Sequence, residues 1–297
     1  MEENNNKTPA KGCLIFWLSF LAGNIFQFII LIAILLVCNS LNLNTGTEGL
    51  LNNIFINLLL YLGMYGGMFL IFSCQKSKPQ IFKKPTLLKC LLYTLTSIVT
   101  FFMLNPVISC ISNWLVNAEL TPPQPTFALT TPNYFIALIF LVFLPATVEE
   151  LLFRGLIFAN MSKQGKTFAT ITTTLLFSLF HASIFQTVYP ILFGLLLCVI
   201  MLREENIYYC MIAHAVNNFL ALTSMFFGWK LFSTSTWFII LSFVLAIIYL
   251  CAVIFIFVVS KQKISSNKQR LTKKDILFLF LTFVILIIIW ICSSFLV

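Results

Sequence analysis

The chain has 297 residues, of which 60% are hydrophobic and only 9% are charged, and its formal net charge is +9. A soluble globular domain carries about 25% charged residues, so this composition excludes that class and indicates a protein that crosses a membrane several times. The positive charge lies in loops that flank the apolar stretches, and it gives no reason to expect binding to nucleic acid.

Apolar stretches predict the helices, because about 20 consecutive apolar residues span a bilayer. The sequence predicts an all-α polytopic bundle of about nine transmembrane helices, the ninth being an addition to an eight-helix core. No linker or repeat divides the chain, so residues 1–297 are expected to form one integral membrane domain. The predicted spans are 13–38, 50–73, 89–115, 133–159, 168–183, 187–202, 207–228, 235–260 and 275–297.

Basic residues predict the orientation, because Lys and Arg accumulate in cytoplasmic loops. Nearly all of the 18 basic residues lie in the N-terminal tail or in the loops after spans two, four, six and eight. Lys230 lies on the other side, and Arg154 lies within span four. The N-terminus is therefore predicted to be cytoplasmic. The last span has no ionisable group after Asp275, so we expect it to be peripheral and dispensable for chemistry.

Ionisable residues within the spans are few, and such residues are costly in lipid and usually functional. Span four contains Glu149, Glu150 and Arg154. On a helix, Glu150 and Arg154 share a face and can pair, whereas Glu149 points about 100° away. An unpaired, desolvated carboxylate can act as a base, although Glu149 could instead hydrogen-bond a neighbouring helix. Pro145, one turn earlier, is expected to kink the span and open it to water.

Both histidines of the chain also lie in predicted spans. Span five places His181 four residues after Phe177, and span seven places Asn218 four residues after His214, so each pair shares a helix face. Donors on one face could stabilise the oxyanion that forms when water attacks a peptide carbonyl. An intramembrane histidine can also serve only as an interhelical hydrogen bonder. Asn217 is rotated off this face and is not expected to take part.

Three motifs lie in this order on separate predicted helices: Glu149-Glu150-x-x-x-Arg154, Phe177-x-x-x-His181 and His214-x-x-x-Asn218. The ordered set resembles the CPBP family of intramembrane endopeptidases, which includes CAAX prenyl proteases and bacterial Abi proteins linked to bacteriocin maturation and immunity. The Phe-Arg-Gly sequence after the glutamates is also typical of that family. The resemblance covers about residues 130–228, which form the motif-bearing core of the chain.

The resemblance implies a role for each polar residue of the motifs. Glu149 and His181 would activate the attacking water, and His214 and Asn218 would stabilise the oxyanion. Glu149, His181 and His214 are also a set that zinc could use. The chain lacks an H-E-x-x-H motif, and an oxyanion role for His214 needs no metal, so metal-free chemistry without a cofactor is favoured.

The resemblance also implies that Glu150, Arg154 and Phe177 support the site, and that the substrate is a membrane-embedded or lipidated peptide or protein. A composition rich in Lys, Asn and Ile suggests a low-GC Gram-positive bacterium, which favours the plasma membrane and leader, pheromone or bacteriocin peptides as substrates. Access is expected from the cytoplasmic half of the membrane.

Two interpretations from other classes stay open. One is a bacteriocin-immunity or scaffold protein that keeps the motifs without using them. The other is a proton-coupled transporter in which Glu149 and the histidines relay protons. Transporters usually contain internal repeats with paired broken helices, and this sequence shows none.

Overall fold

The computed structural model describes residues 7–41, 53–75, 81–123, 127–228, 236–262 and 269–295. Within these ranges all regular structure is helical, as the apolar stretches predict. Part of the basic loops, with Lys76, Lys78, Lys263 and Lys268, lies outside them, as does Lys230. The helices are α1 Pro9–Ser40, α2 Ile54–Ser73, α3 Leu87–Asn117, α4 Thr131–Gln164, α5 Lys166–Phe180, α6 Val188–Glu204, α7 Ile207–Phe227, α8 Thr236–Gln262 and α9 Lys273–Phe295.

Eight helices in the described part of the chain are long and apolar enough to cross a membrane, so the protein is an integral multi-pass membrane protein. The predicted span that falls short is α5, which has 15 residues. At 1.5 Å per residue it extends about 22 Å, less than the roughly 30 Å hydrocarbon thickness. The short 3-10 turn Ile184–Gln186 then leads into α6. The connection between α5 and α6 therefore lies at membrane depth.

Contacts between helix termini define one end of the bundle. Lys89 at the start of α3 forms an ion pair of 2.5 Å with Glu204 at the end of α6. The Asp275 carboxylate at the start of α9 accepts a hydrogen bond of 3.0 Å from the Ala10 amide at the start of α1. We call this the basic end, because the predicted cytoplasmic loops flank it.

The opposite end of the bundle is defined in the same way. Near the start of α4, the Tyr134 hydroxyl lies 2.9 Å from the hydroxyl of Thr223 near the end of α7. Ile54 at the start of α2 and Leu222 belong to the same apolar cluster as Tyr134. Which end faces the cytoplasm stays a prediction from the distribution of Lys and Arg.

Helices α1 and α2 pack closely because glycines face the contact. A Cβ atom on Gly67 would lie 2.5 Å from the backbone oxygen of Ala22, and one on Gly23 would lie 2.9 Å from the backbone oxygen of Met64. Small residues four apart allow such close approach between membrane helices. Gly66, on another face of α2, has open space around it. The contact fixes the position of α2, which carries Tyr65.

Two π-helical segments, Leu138–Phe143 and Leu151–Ile157, interrupt α4 on either side of Leu144–Glu150. The sequence predicts a kink at Pro145, and the structure has a widened turn immediately before it instead. A proline ring clashes with the carbonyl of the preceding turn in a regular helix, and π segments occur often at functional sites. The two π-helical segments determine the direction in which the side chains of Glu149 and Glu150 project from α4.

Candidate active site

Glu149 points into a cavity between α1, α2, α4, α5 and α7. Its side chain is held from the neighbouring helix, because the Tyr65 hydroxyl donates a hydrogen bond of 2.8 Å to Oε1. The second oxygen, Oε2, lies 4.0 Å from Nε2 of His214. Two polar atoms at this separation can both bond one water molecule. Glu149 therefore combines a helix-to-helix contact with a carboxylate oxygen directed at a histidine.

Glu150 forms the predicted ion pair with Arg154, at 2.8 Å between Oε1 and Nη1. The same Oε1 lies 2.8 Å from Nδ1 of His214. Because an ionised carboxylate only accepts hydrogen bonds, Nδ1 of His214 donates to it. A carboxylate at this nitrogen fixes the orientation of an imidazole, as in a Ser-His-Asp triad. Nε2 of His214 is thereby left to face Glu149.

Arg154 is fully buried and has no exposed surface. Its Nη2 donates to the Gly194 carbonyl at 3.1 Å, and its guanidinium lies 4.4 Å from the centre of the Phe177 ring. A Cβ atom at position 194 would lie 3.1 Å from the Phe177 ring and 3.3 Å from Nη2, so a larger residue would require these neighbours to shift by a few tenths of an ångström. These contacts place Arg154 behind Glu150, outside the lining of the cavity.

His181 is the residue at which α5 ends. Its Nδ1 lies 2.9 Å from the Phe177 carbonyl oxygen, and the two rings meet edge to face at 5.1 Å. A carbonyl oxygen only accepts hydrogen bonds, so Nδ1 carries the hydrogen. In the neutral ring Nε2 is then the acceptor, and His181 lines the same cavity as Glu149 and His214.

The segment after His181 is held by α9. Ala182 has left-handed backbone angles with φ of 47°, and its carbonyl accepts a hydrogen bond from Ser293. The Ser294 hydroxyl accepts from the Ile184 amide at 3.0 Å. Non-helical backbone at membrane depth is tolerated only where protein or enclosed water supplies hydrogen-bond partners. The sequence predicts a peripheral last helix, and most of α9 does face outward, but its last turns contact the segment that carries His181.

Asn218 lies on the cavity face of α7, one turn after His214, as the sequence predicts. Its amide nitrogen donates to the Leu141 carbonyl in the first π-helical segment at 3.3 Å. Contrary to the expectation from helix rotation, Asn217 also lies beside these groups: its side-chain oxygen accepts a hydrogen bond from Tyr189, and its amide nitrogen donates to the Asn218 side-chain oxygen at 3.4 Å. One amide hydrogen of Asn218 remains to be directed into the cavity.

Two cavities meet at these side chains. The first measures about 500 Å³ and contains Glu149, and the second measures about 270 Å³ and is bordered by Tyr189. Both are lined by His181, Gln186, His214, Asn218 and Ala221. The lining residues extend from the site toward the opposite end, which differs from the expectation of access from the basic end.

No group of three His, Cys, Asp or Glu side chains within the described ranges could hold a metal ion. Glu149, His181 and His214 line one cavity, and Nδ1 of each histidine bonds a carbonyl or carboxylate oxygen, which leaves Nε2 of each ring unbonded by these contacts. Metal-free chemistry stays a prediction from the sequence.

Among the cavity residues that were not predicted from the sequence are Tyr65, Tyr189 and Gln186. Tyr65 and Tyr61 are one helical turn apart on α2 and their rings stack at 6.2 Å. Two tyrosines one turn apart in a membrane span have hydroxyls that need hydrogen-bond partners, so this spacing could have indicated that α2 faces a polar site. Gln186 lies in the irregular turn before α6, where no periodicity guides prediction.

Residues 131–220 match the family model described as Rce1-like, type II CAAX prenyl endopeptidase Rce1-like. No curated protein and no solved structure matches the chain significantly. The matched segment runs from the start of α4 into α7 and contains all the motif residues predicted from the sequence. The segment that carries the candidate site is therefore similar to the Rce1-like family of type II CAAX prenyl endopeptidases.

Proposed function

We propose that the protein is an intramembrane endopeptidase that hydrolyses a peptide bond of a membrane-associated peptide with a water activated by Glu149. The observation that carries the proposal is the 4.0 Å separation between Glu149 Oε2 and His214 Nε2 across an accessible cavity. Both atoms can contact one oxygen atom of water or substrate. The family match of the surrounding segment supports the same class of reaction.

The attacking water bonds Glu149 Oε2, which takes its proton as the oxygen attacks the peptide carbonyl. His181 offers Nε2 from another wall of the cavity and accepts a hydrogen bond from the second hydrogen of the water, which helps to orient the attack. The proton then passes to the leaving amine as the carbon–nitrogen bond breaks. In this scheme Tyr65 keeps Glu149 Oε1 occupied, so that Oε2 is the oxygen that reacts.

His214 and Asn218 stabilise the oxyanion of the tetrahedral intermediate. Nε2 of His214, when protonated, and the free amide hydrogen of Asn218 both lie on the cavity face of α7. Pre-oriented donors in a water-poor site are among the largest contributions to catalysis. The buried pair Glu150 and Arg154 holds His214 through Nδ1 and does not contact the substrate.

The test is cleavage by detergent-purified protein of quenched fluorescent peptides, including a lipidated peptide and secretion-leader peptides. We expect Glu149→Gln to lower kcat/KM by about 10² to 10⁴, the usual contribution of a general base. His214→Ala should lower it similarly. Glu205→Gln is the matched control, because Glu205 is an exposed carboxylate paired with Lys83 at the basic end. Wild-type activity should survive a strong chelator.

Unchanged cleavage by both Glu149→Gln and His214→Ala would show that neither side chain takes part in the reaction. Loss of wild-type activity in the chelator, restored by added zinc, would contradict metal-free hydrolysis.

As for location, we propose the plasma membrane of a bacterium, with bacteriocin, leader or pheromone peptides as physiological substrates. Processing of such a peptide in cells, absent in Glu149→Gln, is the corresponding assay.

A further inference from the structure

Resting on the proposed function, we further propose that the substrate reaches the site from the opposite end of the bundle and that this end faces the outside of the cell. The preferred substrate is then an apolar, uncharged stretch of a peptide that has already left the cytoplasm. A lipidated protein on the cytoplasmic surface would approach the closed side of the site.

The wall formed by α7 shows the direction of the first cavity. His214, Asn218, Ala221 and Met225 line it at intervals of three or four residues. They lead from the site toward Phe227, where α7 ends at the opposite end. None of the residues between the start of α7 and His214 lines either cavity.

Two other helices line the cavities in the same direction. On α4, Pro145 and Leu141 follow Glu149 at one-turn intervals toward the start of that helix, which lies at the opposite end. On α3, Asn105 and Ile108 line the second cavity, in the half of the helix that leads to the opposite end. On α3, α4 and α7 the lining residues therefore lead from the reacting groups away from the basic loops, whereas on α2 the lining reaches only one turn beyond Tyr65 toward the basic end, at Met68.

The other side of the site is filled by packed side chains. Phe153, Arg154 and Leu197 have no exposed surface. Phe177 covers the Arg154 guanidinium, and Gly194 fits against both without spare room. These residues belong to the largest apolar cluster of the described chain or contact it. A peptide coming from the basic end would have to displace this layer.

Charge distribution assigns the two ends to the two sides of the membrane. Lys and Arg accumulate in cytoplasmic loops, and the basic loops flank the end that the packed layer closes. The opposite end is therefore the extracytoplasmic one. This assignment depends on the loops alone, whereas the direction of the cavities depends on the packing of α3, α4 and α7.

The lining indicates the chemistry of the substrate. Met64, Met68 and Met225 contribute flexible thioether side chains, which adapt to varied apolar groups. Asn24 and Gln186 supply amides that can bond an extended backbone. Apart from Glu149 and the two histidines, no Asp, Glu, Lys, Arg or His is among the described residues that line the two cavities. A peptide segment without charged side chains fits this lining.

Labelling of single cysteines tests the direction without any need for activity. The nine native cysteines are all free, so they are replaced except for one reporter in each variant. The reporters are Met225→Cys in the cavity, native Cys74 after α2 at the basic end, and native Cys38 near the end of α1 at the opposite end. Cells are treated with a membrane-impermeant maleimide before and after permeabilisation.

We expect the cysteine at 225 and Cys38 to react in intact cells, and Cys74 to react only after permeabilisation. Reaction of the cysteine at 225 only together with Cys74 would overturn the proposal. Failure of that cysteine to react even in detergent would show that the cavity does not open there, and would overturn it as well. Retention of a wild-type melting temperature confirms that each variant is folded.

Cleavage by intact cells separates this proposal from the proposed function. An impermeant quenched peptide with an uncharged apolar centre is added outside cells that express wild type or Glu149→Gln. We expect cleavage by wild type at least tenfold faster than by the variant, without permeabilisation. If the two differ in detergent but not in intact cells, the catalytic assignment stands and the external access route is refuted.

Discussion

Tyr65→Phe removes one hydroxyl group and leaves the ring that packs against α4. The hydroxyl donates to Glu149 Oε1 at 2.8 Å, and Tyr65 is only 4% exposed. A buried hydrogen bond to a charged group contributes about 1.5–3 kcal/mol. Since 1.36 kcal/mol corresponds to a factor of ten in rate, loss of this orientation should lower kcat by roughly 10- to 100-fold.

KM should change by less than about threefold, because Tyr65 orients Glu149 and is not required to contact the reacting bond. Steady-state kinetics on a cleaved peptide separates the two parameters. Tyr61→Phe is the control, since Tyr61 lies one turn away, stacks on Tyr65 at 6.2 Å and lines the same cavity. No hydrogen bond joins its hydroxyl to Glu149 in the described part of the chain.

Three outcomes would refute this reasoning about Tyr65. Wild-type kcat in Tyr65→Phe would show that the hydrogen bond does not matter for the reaction. An equal loss in Tyr61→Phe would indicate that cavity shape, and not the carboxylate, is responsible. A large fall in the melting temperature of Tyr65→Phe would indicate a packing role only.

The remaining predictions concern packing and the support of the site. Gly67→Ala should lower the unfolding free energy by about 1–3 kcal/mol through overpacking against α1. Gly66→Ala, with open space around it, should be neutral or slightly stabilising. Thermal melting in detergent compares the two variants, and equal effects would contradict the close glycine contact between α1 and α2. Arg154→Met should lower the free energy of unfolding by about 3–5 kcal/mol, because the buried Glu150 carboxylate loses its arginine partner and keeps only the contact with His214. Adding Glu150→Gln should restore part of that stability. Trp290→Phe removes a hydrogen bond to the turn before α6. It should reduce kcat several-fold and lower the free energy of unfolding by about 1 kcal/mol. An unchanged kcat would show that α9 does not support the site.

Much of the fold was predictable, because lipid demands long apolar helices. The exception is the short α5, whose apolar residues continue beyond Phe180 into a non-helical turn. Hydropathy does not distinguish a helix from an irregular segment that is bonded by neighbours. The two π-helical segments of α4 were likewise invisible to a 3.6-residue periodicity.

Within the site, local spacing predicted local contacts. Glu150 and Arg154 pair as expected, and His214 and Asn218 share a face of α7. The contacts between distant helices were not predictable from spacing, as Tyr65 on α2 illustrates, because they depend on how the helices pack. Predicting a free Glu149 was for this reason incomplete: one of its oxygens is held and the other faces a histidine.

The contact between α9 and the turn before α6 also has a consequence for the order of synthesis. Trp290 and Thr187, which form a hydrogen bond of 2.7 Å, lie 103 positions apart in the chain. The ribosome and the insertion machinery must therefore deliver α5, the turn and α6 to the lipid well before their partners on α9 are translated. During that interval the turn has polar backbone groups without these protein partners, a costly condition in hydrocarbon. A nascent chain stalled before α9 thus contains every motif residue but not the finished site, so hydrolysis should begin only after α9 has been inserted.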